Sequence, residues 1–249
     1  MRKYNYKVGN CYYNNEGSKF TIIEYNNYRD VLIRFDDQFS HEVKTSCNKI
    51  LSGTIKNPYH KSIANIGFMG YGSFKSRINK KRVHANAVWV SMITRCYDKK
   101  YQVNSPTYKD CVVCDDWHNY QNFAKWYTEN EYYGLGYELD KDLLFKGNRI
   151  YSPETCVLIP RELNTCLLYS INRSDNGLPM GVSKVRDRYT ASISIEGKTN
   201  FIGYFSTIMQ ASDAYNEAKK QNIRRLAYKY MGKIDKRVFD TLLNWNPEQ

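Results

Sequence analysis

The stretch that decides the fold of this chain covers residues 139–164 and reads LDKDLLFKGNRIYSPETCVLIPRELN. A short strand ends in Asp140 and Asp142, and a Lys-Gly-Asn turn follows at residues 146–148. Ser152-Pro153 then opens the next element, because Ser is a good helix N-cap and Pro is tolerated at the first helical position. Residues 137–164 as a whole predict a strand, a turn, a second strand and a helix.

This order of elements brings oxygen ligands together. An Asp at the end of a strand and Asn164 on the following helix would form an all-oxygen site, which hard cations such as Mg²⁺ prefer. A metal there could stabilise a leaving oxygen on a phosphodiester.

The order of several motifs in this region resembles a known family. Residues 139–142, 147–148, 151–156 and 161–164 (LDKD, GN, YSPETC, RELN) resemble the ββα-metal core of phage HNH endonucleases. Residues 89–97, 106–110, 113–117 and 121–123 (WVSMITRCY, PTYKD, VCDDW, QNF) resemble the helical segment that precedes this core. The resemblance implies a DNA endonuclease with Mg²⁺ or Mn²⁺ as cofactor.

The resemblance also implies roles for individual residues. Asp140 and Asn164 are the expected metal ligands, Asp142 is the candidate third ligand, and Lys141 joins Asp140 and Asn164 as a candidate catalytic residue. The family has a His where Lys141 stands. A lysine is protonated near neutral pH unless burial lowers its pKa, so Lys141 is expected either to bind phosphate or, with a lowered pKa, to act as the base.

Three further positions leave alternatives open. The central Asn of the family motif corresponds either to Asn148 or to the position of Tyr151. His118 is an alternative base. A scaffold that binds DNA without cutting it is the competing interpretation of the whole motif.

The C-terminal part predicts a three-stranded sheet and a helix. Residues 181–205 alternate over two hairpins, and Glu196-Gly197-Lys198 forms the second turn. The period of two separates the side chains into two faces. Packing against the following helix is expected for Tyr189, Ala191, Ile193 and Ile202. The opposite face is expected to carry Arg188, Thr190, Ser192 and Ser194, with Arg186 and Lys198 in the turns.

This segment resembles the AP2 domain through Gly-Val-Ser (181–183), Tyr-Thr-Ala-Ser-Ile (189–193), Phe-Ile-Gly-Tyr-Phe (201–205) and Ala-Ser-Asp-Ala-Tyr (211–215). The family reads DNA with its open sheet face. The candidate DNA contacts are therefore Ser183, Arg186, Arg188, Ser192, Ser194, Lys198 and Phe201. Small serines stand where strong readers carry Arg, so low base specificity is expected. A polar module that binds protein is the alternative.

The charge balance favours a polyanionic partner, because the net charge is +12. Residues 61–109 contain ten Lys and Arg and a single acid, Asp98, a balance of +9. Arg77, Lys80, Lys81 and Arg82 are the candidate contacts with the backbone of double-stranded DNA. Gly67, Gly70 and Gly72 support this interpretation, since glycines let a chain lie close to a groove. A solvated linker is the alternative.

The predicted organisation is an α+β chain in several parts. Residues 1–57 are predicted to form a small β-barrel-like unit that resembles SH3-like modules in outline, and residues 58–84 a basic extended connector. Residues 85–168 are predicted to form the HNH-like module with its helical lead-in. A polar linker is expected at 165–179, and the AP2-like domain at 178–249 with a final helix at 238–245. The recurring apolar side chains at 88–93 and 117–127 predict two helices with core-packing stripes.

Other features exclude several classes. There is no apolar run of 18 residues, so no membrane span is predicted, and the start of the chain lacks an apolar signal region, which predicts the cytoplasm of a host cell. The seven cysteines include Cys111 and Cys114 at CxxC spacing, but no second CxxC occurs, which favours buried thiols over a structural zinc. Besides a nuclease and a non-cutting DNA-binding protein, a phage protein that inhibits a host machine remains open. A large exposed apolar patch on the N-terminal unit would favour that third class.

Overall fold

The computed structural model describes residues 6–167 and 177–246, and it divides the chain into two compact units, residues 1–128 and 129–249. Both contain helices and strands, so the predicted α+β class is confirmed. The unit boundary lies within residues 85–168, which the sequence analysis expected to form one module. Residues 165–167 of the expected linker are helical, and residues 168–176 lie outside the described residues.

An antiparallel sheet opens the first unit. Its strands pair in sequence order and are β1 (Cys11–Tyr13), β2 (Lys19–Asn27), β3 (Asp30–Phe35) and β4 (Glu42–Thr45), followed by helix α1 (Cys47–Ser52). The alternation of Val31, Ile33 and Phe35 places all three side chains in a core with Phe20 and Ile22. The expected barrel is wrong: β1 pairs only with β2 and β4 only with β3, so within the described residues the sheet has two open edges.

The rest of the first unit is mainly helical. Its elements are β5 (Arg77–Ile78), β6 (Lys81–Arg82), α2 (His84–Tyr97), α3 (Lys99–Asn104), β7 (Val112–Val113) and α4 (Tyr120–Glu129), with 3₁₀ turns at Pro106–Tyr108 and Asp115–His118. The predicted aromatic stripes are core packing: Trp89, Trp117, Tyr120, Phe123 and Tyr127 are at most 2% exposed. The indole nitrogen of Trp89 donates to the Trp117 carbonyl oxygen at 2.7 Å, which joins α2 to the turn before α4.

Residues 58–84 pack closely instead of forming an extended connector. The backbone of Phe68 exchanges hydrogen bonds with residues 118 and 120, and a Cβ added at Gly67 would lie 2.9 Å from the Trp89 ring. A Cβ at Gly70 would lie 2.0 Å from the Asn119 side chain, and one at Gly72 would meet Gln121 at 2.4 Å. Close packing inside the first unit therefore accounts for these glycines, and they no longer support a DNA groove contact.

The second unit begins with β8 (Glu138–Asp140), β9 (Ile150–Tyr151), β10 (Val157–Ile159) and α5 (Arg161–Leu167). β8 and β10 are antiparallel, with Asp140 opposite Val157 and Glu138 opposite Ile159. The predicted strand, turn, strand and helix are therefore present. The expectation that Ser152-Pro153 begins the helix is wrong: those residues form a turn leading into the buried apolar strand β10, and the helix starts only after Pro160.

The C-terminal half of this unit has the predicted three strands and a helix. They are β11 (Val182–Val185), β12 (Arg188–Ile195), β13 (Lys198–Phe205) and α6 (Ile208–Lys229), followed by α7 (Lys236–Leu243), which starts two residues earlier than expected because Asp235 caps it. Strand β12 lies in the centre of the sheet. Helix α6 packs on the sheet through Ala211 and Tyr215, and its later residues share a core with β10, α5 and α7.

No helix in the described ranges is long and apolar enough to cross a membrane.

Candidate functional site

The end of strand β8 and the start of helix α5 face one another. Alternation along the strand places Glu138 and Asp140 on the same face. The Asn164 side-chain nitrogen donates to a Glu138 carboxylate oxygen at 2.7 Å, and the adjacent Leu163 is fully buried in the shared core. Leu163 thus anchors the helix, and Asn164 is presented to the strand face that also carries Asp140.

Asp140, Asp142 and Asn164, the three predicted metal ligands, line one cavity of about 640 Å³. Helix α7 and the residues after it supply another wall, including Asp240 and Trp245. Asp240 is paired with Lys236 at 2.6 Å. Three oxygen-bearing side chains, from β8, its following loop and α5, thus border the cavity together with this wall of α7 residues.

The Asp140 carboxylate shapes the loop that leaves β8. One of its oxygens accepts the backbone N–H groups of Asp142 at 2.9 Å and Leu143 at 2.7 Å. Burial raises the pKa of the Asp140 carboxyl above its ordinary value, and the nearby Asp142 charge raises it further, against the opposing effect of the backbone hydrogen bonds. A cation beside Asp140 would favour the ionised form and reverse that direction.

Lys141 is not among the cavity's lining residues. The residue is 8% exposed, and its ammonium group donates to the Asn148 carbonyl oxygen at 2.9 Å, pairs with Asp142 and lies over the Tyr151 ring. This arrangement uses its charge to hold the loop closed. Phosphate binding and proton abstraction, the two expected roles of Lys141, gain no support from these contacts and stay predictions.

Asn148 closes the same loop from the other side. Its amide nitrogen donates to the carbonyl oxygens of Lys141 at 2.8 Å and Ile150 at 2.7 Å, and its amide oxygen accepts the Ile150 N–H. Of the two candidates for the central Asn, Asn148 thus has the loop-bridging contacts, whereas Tyr151 is buried under Lys141.

His118, the alternative base, belongs to the first compact unit. Its ring contacts the Tyr97 hydroxyl at 3.3 Å and the Asp115 carboxylate at 3.7 Å. Burial lowers the pKa of His118, against the attraction of Asp115. All four histidines of the sequence fall within residues 1–128, so the second unit has no imidazole of its own.

The donor set at the cavity fits a hard cation. In the described ranges, the second oxygen of Asp140 and the amide oxygen of Asn164 accept no hydrogen bond, while Glu138 occupies the amide nitrogen of Asn164 and so leaves its oxygen available. No group of three or more His, Cys, Asp or Glu side chains suited to a metal occurs in these ranges. A cation here would depend on two carboxylates, one amide oxygen and waters, the partly hydrated coordination that Mg²⁺ favours.

Glu138 was missed by sequence reasoning. The signal for it was its position two residues before Asp140, which places both side chains on one strand face.

The open face of the C-terminal sheet is the second candidate surface. Cross-strand pairing places Ser183 opposite Thr190, and Ser192 opposite Phe201, so their side chains share the face turned away from α6. Every predicted contact of this domain is exposed except Ser192, which is half-buried. Thr190 departs from the expected exposure: it is 9% exposed, because it lies on the central strand between Ser183 and Tyr204.

A β-bulge adds an aromatic residue to this face. The register of β12 and β13 shifts between Ala191 and Ser192, so Phe201 and Tyr204 lie on one face although they are three residues apart. Their rings meet edge to face at 5.1 Å, and they are 58% and 60% exposed. Strict alternation places Tyr204 on the opposite face, which is why sequence reasoning missed it.

Arg77, Lys80, Lys81 and Arg82, the predicted backbone contacts, are all exposed in the short β5–β6 hairpin of the first unit.

Comparison with family models, with curated proteins and with solved structures finds no match to this chain.

Proposed function

We propose that this chain is a DNA-binding protein that contacts double-stranded DNA with the open face of its C-terminal sheet. The observation that carries the proposal is an exposed, helix-free sheet face with Arg186, Arg188 and Lys198 around it and no ion pair to any of the three in the described residues. Phosphates attract such unpaired cations and release counterions on binding. A three-stranded sheet with serines on its face also matches the resemblance to the AP2 domain.

The side chains of this face are suited to contacts with the DNA backbone rather than to the recognition of particular base pairs. Arg186 and Lys198 lie in or beside the turns, where they reach phosphates, and the face itself presents hydroxyls and the Phe201–Tyr204 pair. Serine contacts are compatible with any base pair, whereas bidentate arginines discriminate. We therefore expect affinity without strong sequence preference.

Binding is tested by fluorescence anisotropy on a duplex of unrelated sequence. We expect binding at low salt that weakens steeply as salt rises, because the net charge is +12. Absence of binding at 50 mM salt would sink the proposal.

A second candidate function, phosphodiester hydrolysis, is favoured by the cavity that brings Asp140, Asp142 and Asn164 together. Mg²⁺ or Mn²⁺ held by these three residues would supply a Lewis acid for the leaving oxygen. The chain's own contribution is to fix the ligands: backbone N–H groups orient Asp140, and Glu138 orients the Asn164 amide.

Cleavage of DNA needs a side chain that accepts a proton, whereas binding alone does not. Lys141 is committed to Asn148 and Asp142, and the second unit contains no histidine. The remaining acceptor that lines the cavity without holding the loop is Asp240, which is paired with Lys236. This shortage of a free base favours a DNA-binding scaffold over an efficient nuclease.

A plasmid-cleavage assay with Mg²⁺ and with Mn²⁺ separates the two candidates. If the wild type cuts, Asp140→Ala should abolish cutting, because the metal loses an anionic ligand. Lys141→His restores the family residue but removes the contacts to Asn148 and Asp142, so we expect a lower melting temperature and no gain of activity. A gain of cleavage in Lys141→His would show that the missing base alone silences the site.

A further inference from the structure

Residues 77–82 form a β-hairpin that the sequence analysis did not predict. Arg77 pairs with Arg82 and Ile78 with Lys81, and the two turn residues, Asn79 and Lys80, have φ of 48° and 64°. Positive φ at both central residues is the requirement of a type I′ turn, the two-residue connection that suits the twist of paired strands. We call residues 77–82 the basic hairpin.

The basic hairpin exposes an unusual side-chain set. All six residues are exposed, and cross-strand pairing puts Arg77 and Arg82 on one face and Ile78 and Lys81 on the other. None of its four cations forms an ion pair in the part of the chain that the structure describes, and residues 61–97 contain no Asp or Glu. Its positive charge is thus unneutralised on both faces.

Lys80 places a cation in the turn although its backbone conformation there is strained. Glycine is the preferred second residue of a type I′ turn because it adopts positive φ without strain, yet Lys80 occupies that position. Strain that is kept at an exposed tip points to a use for the side chain there. The charge of Lys80 is the property that glycine would lack.

The structure also anchors the base of the hairpin. The Gln121 side chain contacts both backbone groups of Phe74, the Tyr120 hydroxyl donates to the Lys75 carbonyl oxygen, and helix α2 begins two residues after the last hairpin residue. A hairpin held at both ends loses little conformational entropy on binding.

We infer that the basic hairpin enters the major groove of duplex DNA as a contact separate from the C-terminal sheet; the inference rests on the proposed DNA binding. The major groove, about 12 Å wide, admits a two-stranded ribbon, and at about twice the width of the minor groove, about 6 Å, it needs less widening to accept one. The hairpin then places cations on both of its faces toward the two phosphate walls of the groove, with Lys80 at its tip.

The test separates the shape of the hairpin from its charge. Asn79→Pro keeps every charge but forbids the turn, because proline fixes φ near −65° and Asn79 has φ of 48°. Lys80→Gln with Lys81→Gln keeps the hairpin and removes two charges. Lys99→Gln with Lys100→Gln is the matched control, since these exposed lysines lie in the same unit outside the hairpin.

The readout is anisotropy with full-length protein and a 30-base-pair duplex as probe (a length of about three helical turns). At 0.1 M salt each lost phosphate contact should weaken binding about eightfold, and the hairpin pair should reduce the slope of log K against log salt by about 1.8. We expect Asn79→Pro to weaken binding roughly tenfold or more despite its unchanged charge. The control pair should stay within about threefold of the wild type.

Two outcomes would overturn the inference while leaving the proposed function intact: Asn79→Pro binding like the wild type, or the control pair losing as much affinity as the hairpin pair. Should Asn79→Pro lower the melting temperature, the comparison of the two glutamine pairs decides alone. A wild type that does not bind at low salt overturns the proposed DNA binding itself, and the inference with it.

Discussion

Glu138→Ala is the sharpest probe of the candidate metal site, because Glu138 acts on a cation only through Asn164. Its carboxylate accepts the Asn164 amide nitrogen at 2.7 Å and leaves the amide oxygen free. Without this partner the amide can rotate, and its nitrogen is no longer held by a carboxylate that leaves the oxygen available to a cation. We therefore expect Glu138→Ala to weaken the binding of Mn²⁺ without removing any ligand.

The size of the effect follows from the exposure of the pair. Removing a residue that orients a metal ligand weakens metal binding by about 10- to 100-fold. The Glu138 side chain is 41% exposed and also lies 3.7 Å from Arg161, so water and a second cation share its charge. The loss should be at the lower end, about tenfold, or close to 1.4 kcal/mol.

Free Mn²⁺ measured by electron paramagnetic resonance in a titration gives the affinity directly and does not depend on cleavage. Glu138→Gln is the matched control: it keeps an acceptor oxygen for Asn164 and changes only the charge, so its affinity should remain within about threefold of the wild type. The reasoning fails if Glu138→Ala binds Mn²⁺ as well as the wild type while Asp140→Ala has lost binding.

Three further predictions concern other parts of the chain. Arg186→Ala with Arg188→Ala should leave the melting temperature unchanged, since both side chains are exposed, and make the slope of log K against log salt for duplex binding about 1.8 less steep. Gly181→Ala should lower the free energy of unfolding in urea by about 2 to 4 kcal/mol, because its Cβ would lie 2.1 Å from the Tyr215 ring at a φ of +74°. The pKa of His118 is lowered in the folded state, so the unfolded chain takes up the proton first as the pH falls. The melting temperature should therefore fall as the pH drops below about 6.5, and in His118→Gln it should depend less on pH.

Each of these has a contradicting result. Unchanged duplex affinity in the double arginine variant removes the sheet face from the interface. A Gly181→Ala protein as stable as the wild type would mean that the helix and sheet are not packed as described. Equal acid sensitivity with and without His118 would assign the pH dependence to another group.

The C-terminal sheet could be predicted from the sequence because a local rule governs it. Alternation with period two and a Glu196-Gly197 turn specify the strands, and both turn residues have the positive φ that such a hairpin needs. The rule failed at one place, the bulge beside Ala191, because a single extra residue reverses the faces of everything beyond it. Tyr204 was missed for that reason.

Residues 58–84 could not be predicted because their structure depends on distant partners. Gly70 and Gly72 are explained only by Asn119 and Gln121, which lie about 50 residues along the chain (a separation beyond any local pattern). The basic hairpin was missed for a related reason: Asn79-Lys80 lacks the glycine by which such turns are recognised, and only two residues pair on each side.

At the candidate site, the order of the motifs predicted the secondary structure but not the contacts of each side chain. The residues from Asp140 to Asn164 predicted a strand, a turn, a second strand and a helix, and the structure has these elements, with Asp140, Asp142 and Asn164 lining one cavity. The role of Lys141 was not predictable, because a sequence does not show whether a cation faces the cavity or the loop. Its ammonium group donates to the Asn148 carbonyl oxygen and pairs with Asp142, and removing it would leave both groups without this partner. Lys141 thus stabilises the loop that carries Asp142, and it is not among the residues lining the cavity, where a base would be needed.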